Sequence, residues 1–187
     1  MKKTLLFFVF IITASSLVFS QEFKHNISGT FGILNPKVRI QYEAPLKDRA
    51  SFGANLNYYF VNWSGPIVEP FVRIYGRKSG NAEGFFGQLK LAYGNLSTID
   101  FDKIDYQIEN RRWSTFGAGI AGGYKFLLGN SMTIELLSGL RIVSGPTYRY
   151  KPGYDATSLG EALGEEIGWY ITTGLPFDFQ AKVGYQF

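Results

Sequence analysis

The 187-residue sequence contains no cysteine and a single histidine. Without cysteine there is no disulfide, no thiolate metal site and no lipidated N-terminal cysteine, so an exported chain of this kind takes its stability from elsewhere. One histidine excludes a multi-histidine metal centre. Long apolar runs are scarce too. Beyond residue 20 no 18-residue apolar stretch exists, and the sequence predicts no transmembrane helix. The formal charge of +4 falls by two once Lys2 and Lys3 are set aside. That balance is too weak, and lacks the basic stripe, for a nucleic-acid partner.

Glycine and aromatic residues are abundant instead, with 22 Gly, 17 Phe and 12 Tyr, while mean hydropathy is near zero. The first twenty residues stand apart. Lys2 and Lys3 precede the apolar run from Leu5 to Ile12, and Val18-Phe19-Ser20 fits a signal peptidase site. This predicts a signal peptide over 1–20 and one domain over 21–187, with Gln21 as the mature N-terminus. The alternative, a membrane anchor helix, suits the stretch poorly. It is short for a hydrocarbon core of ~30 Å, and Thr13, Ser15 and Ser16 interrupt it. A Gly- and aromatic-rich exported chain without a spanning helix fits a membrane β-barrel.

Strict alternation supports that class. From Leu175 to Phe187 every odd position is apolar or aromatic, and Asp178, Gln180, Lys182 and Gln186 lie on the other face. Further alternating segments run over Met132–Ile142, Trp113–Leu128, Phe85–Leu96, Val68–Gly76, Ser51–Phe60 and Lys37–Leu46. Phe23–Ile33 is the weakest. Lipid-facing barrel strands alternate apolar-out and polar-in in this way.

The connections alternate in length. Lys47–Ala50, Arg77–Glu83 and Gly129–Ser131 are short. Ser97–Arg112 and Ser144–Gly174 are long, and Asn62–Ile67 is intermediate. Outer-membrane barrels pair short periplasmic turns with longer external loops. The expected fold is therefore all-β, an eight-stranded antiparallel transmembrane β-barrel with both termini periplasmic. Counting Ile167–Thr173 as a ninth strand would give an odd number, against the even count of bacterial barrels. Ser158-Leu159-Gly160-Glu161 reads as a capping box, which predicts a short helix in the last external loop. Aromatics such as Phe52, Phe85, Tyr124 and Phe126 fall at one set of strand ends, and Tyr58, Phe60, Tyr93 and Phe116 at the other. Two such girdles suit a membrane barrel, although strands are rich in aromatics generally. A soluble lipocalin-like barrel is the competing fold, and it would turn its apolar face inward.

The Ser20-Gln21 junction, the Gln41-Tyr42-Glu43 strand and the closing Gly184-Tyr185-Gln186-Phe187 resemble the small outer-membrane β-barrel proteins of Bacteroidota, with an OmpA/OmpX-like barrel architecture. The resemblance covers the whole mature chain. It implies the fold and the outer-membrane location, and no established chemistry. It also implies the barrel-assembly machinery as a partner, reading Phe179, Val183, Tyr185 and Phe187.

Both signs of charge fall on the inward face: Lys37, Arg39, Glu43, Glu69, Arg73, Lys90, Glu135, Arg141, Asp178 and Lys182. Buried charges need partners, so the expected lumen is a salt-bridged plug; an ion pathway is the sharper alternative. Enzymatic barrels that modify lipid A need a base beside a nucleophile. Here His25 faces outward and Ser28, three residues on, faces inward. His25 is therefore expected to be interfacial. Asp100, Asp102, Asp105 and Glu109 cluster in one loop, but their spacing matches no Ca²⁺ loop. Asp155, Glu161, Glu165 and Glu166 make the last loop acidic as well.

The expected function is an integral outer-membrane barrel with a structural or surface-interaction role. It would use no catalysis, cofactor or metal, and would meet outer-membrane lipids and lipopolysaccharide. Loop residues Phe101, Tyr106, Tyr148, Tyr150, Tyr154 and Trp169 are the expected contacts. The alternative is a lipid-handling barrel, either a lipid A-modifying enzyme or a conduit for small apolar molecules.

Overall fold

The computed structural model describes residues 24–32, 37–47, 49–61, 63–76, 83–98, 108–110, 112–145, 149–150, 169 and 177–187. The signal-peptide segment 1–20 and the expected helix from Ser158 lie outside the described residues.

The strands are β1 (Asn26–Gly32), β2 (Lys37–Lys47), β3 (Ala50–Val61), β4 (Trp63–Tyr75), β5 (Gly84–Thr98), β6 (Ile108–Asn110), β7 (Arg112–Leu128), β8 (Met132–Val143), β9 (Arg149–Tyr150) and β10 (Phe177–Gln186). Eight of them close into an antiparallel barrel in the order β1-β10-β8-β7-β5-β4-β3-β2. The seam joins the first and last barrel strands, with Asn26 opposite Gln186 and Gly29 opposite Val183. His25 and Phe187 extend it by exchanging two backbone hydrogen bonds of 2.9 Å. Closure leaves none of these eight strands as an edge.

The two ends of the barrel differ. At the turn end, β2–β3 and β7–β8 are joined by short reversals around Arg49 and Gly129, the latter at φ +63°. At the loop end lie the long β5–β7 and β8–β10 connections. These carry β6 and β9, which pair with each other antiparallel. By sequence pattern both fall in the long loops.

One loop assignment is corrected. Asn62–Ile67, expected as an intermediate loop, is mostly strand. β4 begins at Trp63, and its pairing with β3 continues to Val61↔Trp63. Pro cannot donate to a sheet ladder, yet β4 carries two. Pro66 and Pro70 are tolerated because the pairing with β3 runs unbroken, while the pairing with β5 skips 65–66 and 69–70.

Alternation holds around the wall. Outward positions such as Ile142, Phe177 and Phe179 are 73–75% exposed, while inward Glu69 and Arg73 are fully buried. Exposed aromatics pair at both ends. Phe85 meets Tyr124 edge-on at 4.7 Å near the turn end, and Tyr93 meets Phe116 at 5.0 Å toward the loop end. Inward glycines admit bulky neighbours. A Cβ on Gly123 would come within 2.5 Å of both the Phe86 ring and the Leu136 carbonyl oxygen. Overpacking of this kind costs roughly 1–3 kcal/mol. Gly123→Ala should therefore destabilise the refolded barrel by about that amount in urea titration, whereas Ala at exposed Gly87, which has open space around it, should change little.

Candidate functional site

The inward residues of β4 give the layers of the interior in order from the loop end: Trp63, Gly65, Ile67, Glu69, Phe71, Arg73 and Tyr75. An apolar cap comes first, then a charged cluster around Glu69, then an aromatic ring, then a second charged cluster around Arg73.

The cap consists of Tyr59, Trp63, Ile67, Ala92, Leu96, Trp113, Val143 and Trp169. The three tryptophans meet edge to face, with centroids 5.4 Å (Trp63–Trp113), 5.5 Å (Trp63–Trp169) and 5.9 Å (Trp113–Trp169) apart. Such geometry opposes a positive ring edge to a negative ring face. Trp169 thus corrects the sequence reading. Expected as a surface contact of the last loop, it is fully buried and its indole N–H donates to the Val143 carbonyl at 3.5 Å. Loop membership hid this, because its partners come from β4, β7 and β8.

The Glu69 cluster follows. Arg141 donates to Glu69 at 2.8 Å, Arg39 lies 3.5 Å from Glu69, and Lys90 bridges Glu69 at 3.4 Å to Asp178. Gln180 donates to Asp178 at 2.6 Å. Arg39 Nε also donates to Asn57.

Arg73 centres the second cluster and uses all five of its donor hydrogens. Nε donates to Gln88 at 2.7 Å. Nη1 donates to Glu43 at 2.9 Å and Glu135 at 2.7 Å. Nη2 donates to Glu135 at 2.7 Å and Gln41 at 3.2 Å. The pair with Glu135 is bidentate, the strongest planar arrangement for a guanidinium and a carboxylate. The Phe71 and Phe86 rings lie 4.7 and 4.3 Å from the guanidinium carbon, adding cation–π attraction. Glu43 is held further by Ser51 at 2.5 Å, Tyr75 at 2.7 Å and Lys125 at 2.5 Å. Lys182 donates to Glu135 at 2.7 Å and Gln41 at 2.6 Å.

The structure therefore brings Arg39, Glu43, Glu69, Arg73, Lys90, Glu135, Arg141, Asp178 and Lys182 into two buried clusters. Sequence reasoning places Gln41, Ser51, Tyr75, Gln88, Lys125 and Gln180 on the inward face but leaves all six out of the network. The signal was present, since all of them sit on inward alternation positions. Phe179, Val183, Tyr185 and Phe187 share the exposed outer face of the last strand and its end.

His25 and Ser28 are not brought together. His25 is half-buried on the outer side, with Nδ1 2.7 Å from the Tyr42 hydroxyl and its ring stacked near Tyr42 and Phe187. Ser28 is buried inside. Asp100, Asp102 and Asp105 lie outside the described residues, as do Phe101, Tyr106, Tyr148, Tyr154, Asp155, Glu161, Glu165 and Glu166. For Glu109 and Tyr150 only the strand backbone is described. Among the described residues no group of three metal-ligating side chains occurs.

No protein-family description, curated protein or solved structure matches this chain.

Breaking a buried ion pair from one side strands the partner charge and costs about 3–5 kcal/mol. Arg73→Met should destabilise the refolded barrel by that order in urea titration, and combining it with Glu135→Gln should recover part of the loss. The cap makes a second prediction. The sequence has only three tryptophans, all buried here, so the folded protein should emit at short wavelength and resist acrylamide quenching. Trp169→Ala should restore quenching of the remaining two.

Proposed function

We propose that this chain is an integral outer-membrane β-barrel with a structural or surface-interaction role and no catalysis. The observation carrying this reading is the inversion of the usual soluble pattern. The wall exposes Ile27, Val38, Leu56, Val72, Leu89, Leu91, Ile120, Leu136 and Val183, while the charged side chains of the same strands are buried inside. A water-soluble barrel would bury that apolar set, and exposed apolar patches much beyond a few hundred Å² mark a partner or membrane surface. A continuous apolar wall with aromatic pairs toward both ends fits a bilayer.

The first twenty residues then serve as the export signal, and the turn end faces the periplasm with both termini. The loop end faces the medium. Outer-membrane lipids and lipopolysaccharide contact the wall, and Phe179, Val183, Tyr185 and Phe187 present the assembly signal. The interior favours a plug over a pathway. Eight strands enclose a space that side chains can fill, and here two charged clusters, two aromatic rings and a tryptophan cap occupy it. With His25 and Ser28 on opposite sides of the wall, the lipid A-modifying alternative lacks its base–nucleophile pair at this position.

Unboiled and boiled outer-membrane fractions compared on a denaturing gel test the location. The expected outcome is a mobility shift confined to that fraction, and recovery of the protein in the soluble periplasm would sink the reading. Reconstituted into planar bilayers, the protein should show no discrete single-channel conductance. A change in lipid A on deletion of the gene would favour the lipid-handling alternative instead.

A further inference from the structure

The two charged clusters share an imbalance. Around Glu69, three cations (Arg39, Lys90, Arg141) meet two carboxylates (Glu69, Asp178). Around Arg73, three cations (Arg73, Lys125, Lys182) meet two carboxylates (Glu43, Glu135). Among the described residues each cluster thus carries one positive charge in excess. Lys37, half-buried two positions before Arg39 on the same face of β2, adds to the positive potential of the Glu69 cluster.

In the Arg73 cluster the cations are tightly held. Arg73 uses all its donors, and Lys125 and Lys182 each bond a carboxylate at 2.5–2.7 Å. The Glu69 cluster differs. Arg39 is 1% exposed, yet its Nη1 and Nη2 have no hydrogen-bond partner, and its ion pair with Glu69 is long at 3.5 Å. Two buried amides at nearby inward positions also have unused donors. Gln41 follows Arg39 on the inward face of β2, and its Oε1 accepts from both Lys182 and Arg73, which orients the amide and leaves Nε2 without a partner. Asn55 stands opposite Gln41 on β3, with neither amide atom partnered. Buried polar groups are rarely left unpaired, and a buried guanidinium with unused donors is costly.

We propose that the interior holds a small monovalent inorganic anion of the halide class against the Arg39 guanidinium, with the Gln41 and Asn55 amides as further donors. One such anion neutralises the excess charge of the Glu69 cluster and occupies orphaned donors. A water molecule would serve the donors but not the charge. The site lies inside the wall, so the proposal stands or falls independently of where the barrel resides.

The test is to refold the barrel from urea with bromide as the only small anion, crystallise it in the same salt, and collect anomalous diffraction at the bromine edge. The expected result is an interior bromine peak beside Arg39, lost in Arg39→Met and weakened at least twofold in Asn55→Ala. The second variant keeps every charge, so it decides the matter if Arg39→Met does not fold. No bromine peak inside the barrel, peaks confined to the surface (an adventitious ion only), or an interior peak unchanged in Asn55→Ala would each overturn the proposal.

Discussion

The barrel interior is organised by the need of one guanidinium for partners. Arg73 is fully buried and satisfied in every direction, by four side chains from three strands and by two aromatic rings. Its position fixes Glu135 and Glu43, and through them Lys182, Lys125, Tyr75 and Ser51. A slip of one residue in any participating strand would turn its inward charge out toward the apolar face. Register and network therefore enforce each other. The glycines belong to the same arrangement, because Phe86 packs over Gly123 and so reaches the face of Arg73.

Specificity of this kind comes with little sheer stability. Buried ion pairs often contribute no more than well-packed apolar residues of similar volume, although removing one partner is expensive. The apolar contribution inside the barrel is concentrated in the tryptophan cap and in the small Tyr75, Phe86 and Leu137 cluster. The outer face leaves its large apolar side chains exposed. In the proposed setting, the surrounding medium solvates that face and makes an apolar wall compatible with a stable fold.

The strand pattern was legible because its period is two and survives in the residue order. Lys37–Leu46 and Phe85–Leu96 were bounded to within two residues at each end, and the inward charges followed directly from parity. Less was legible where a residue belongs to one element by sequence and to another by contact. Trp63 and Ile67 fell between two alternating segments and read as loop. Trp169 sat in a long connection and read as surface. The partners of Gln41 and Gln88 depend on which strands adjoin around the closed wall, and on side-chain reach across the lumen. Parity places such residues inside without naming what they touch. The pairing of β6 with β9 was equally hidden, because strands of three and two residues are too short for alternation to register.

The seam has a consequence for how the chain reaches this state. Residues near its beginning and its end complete the wall together, through β1 and β10 and the reciprocal His25–Phe187 bonds. The same closing step delivers Asp178 to Lys90 and Lys182 to Gln41, partners 88 and 141 positions apart. Until the last strand docks, Lys90 and Gln41 lack these partners, and the charges gathered inside stay hydrated rather than buried. Contacts of such sequence separation make folding slow, and here they also make it all-or-none. A partly zipped sheet would hold water and unpaired charge along its inner face, so closure of the wall and pairing of the interior charges are coupled.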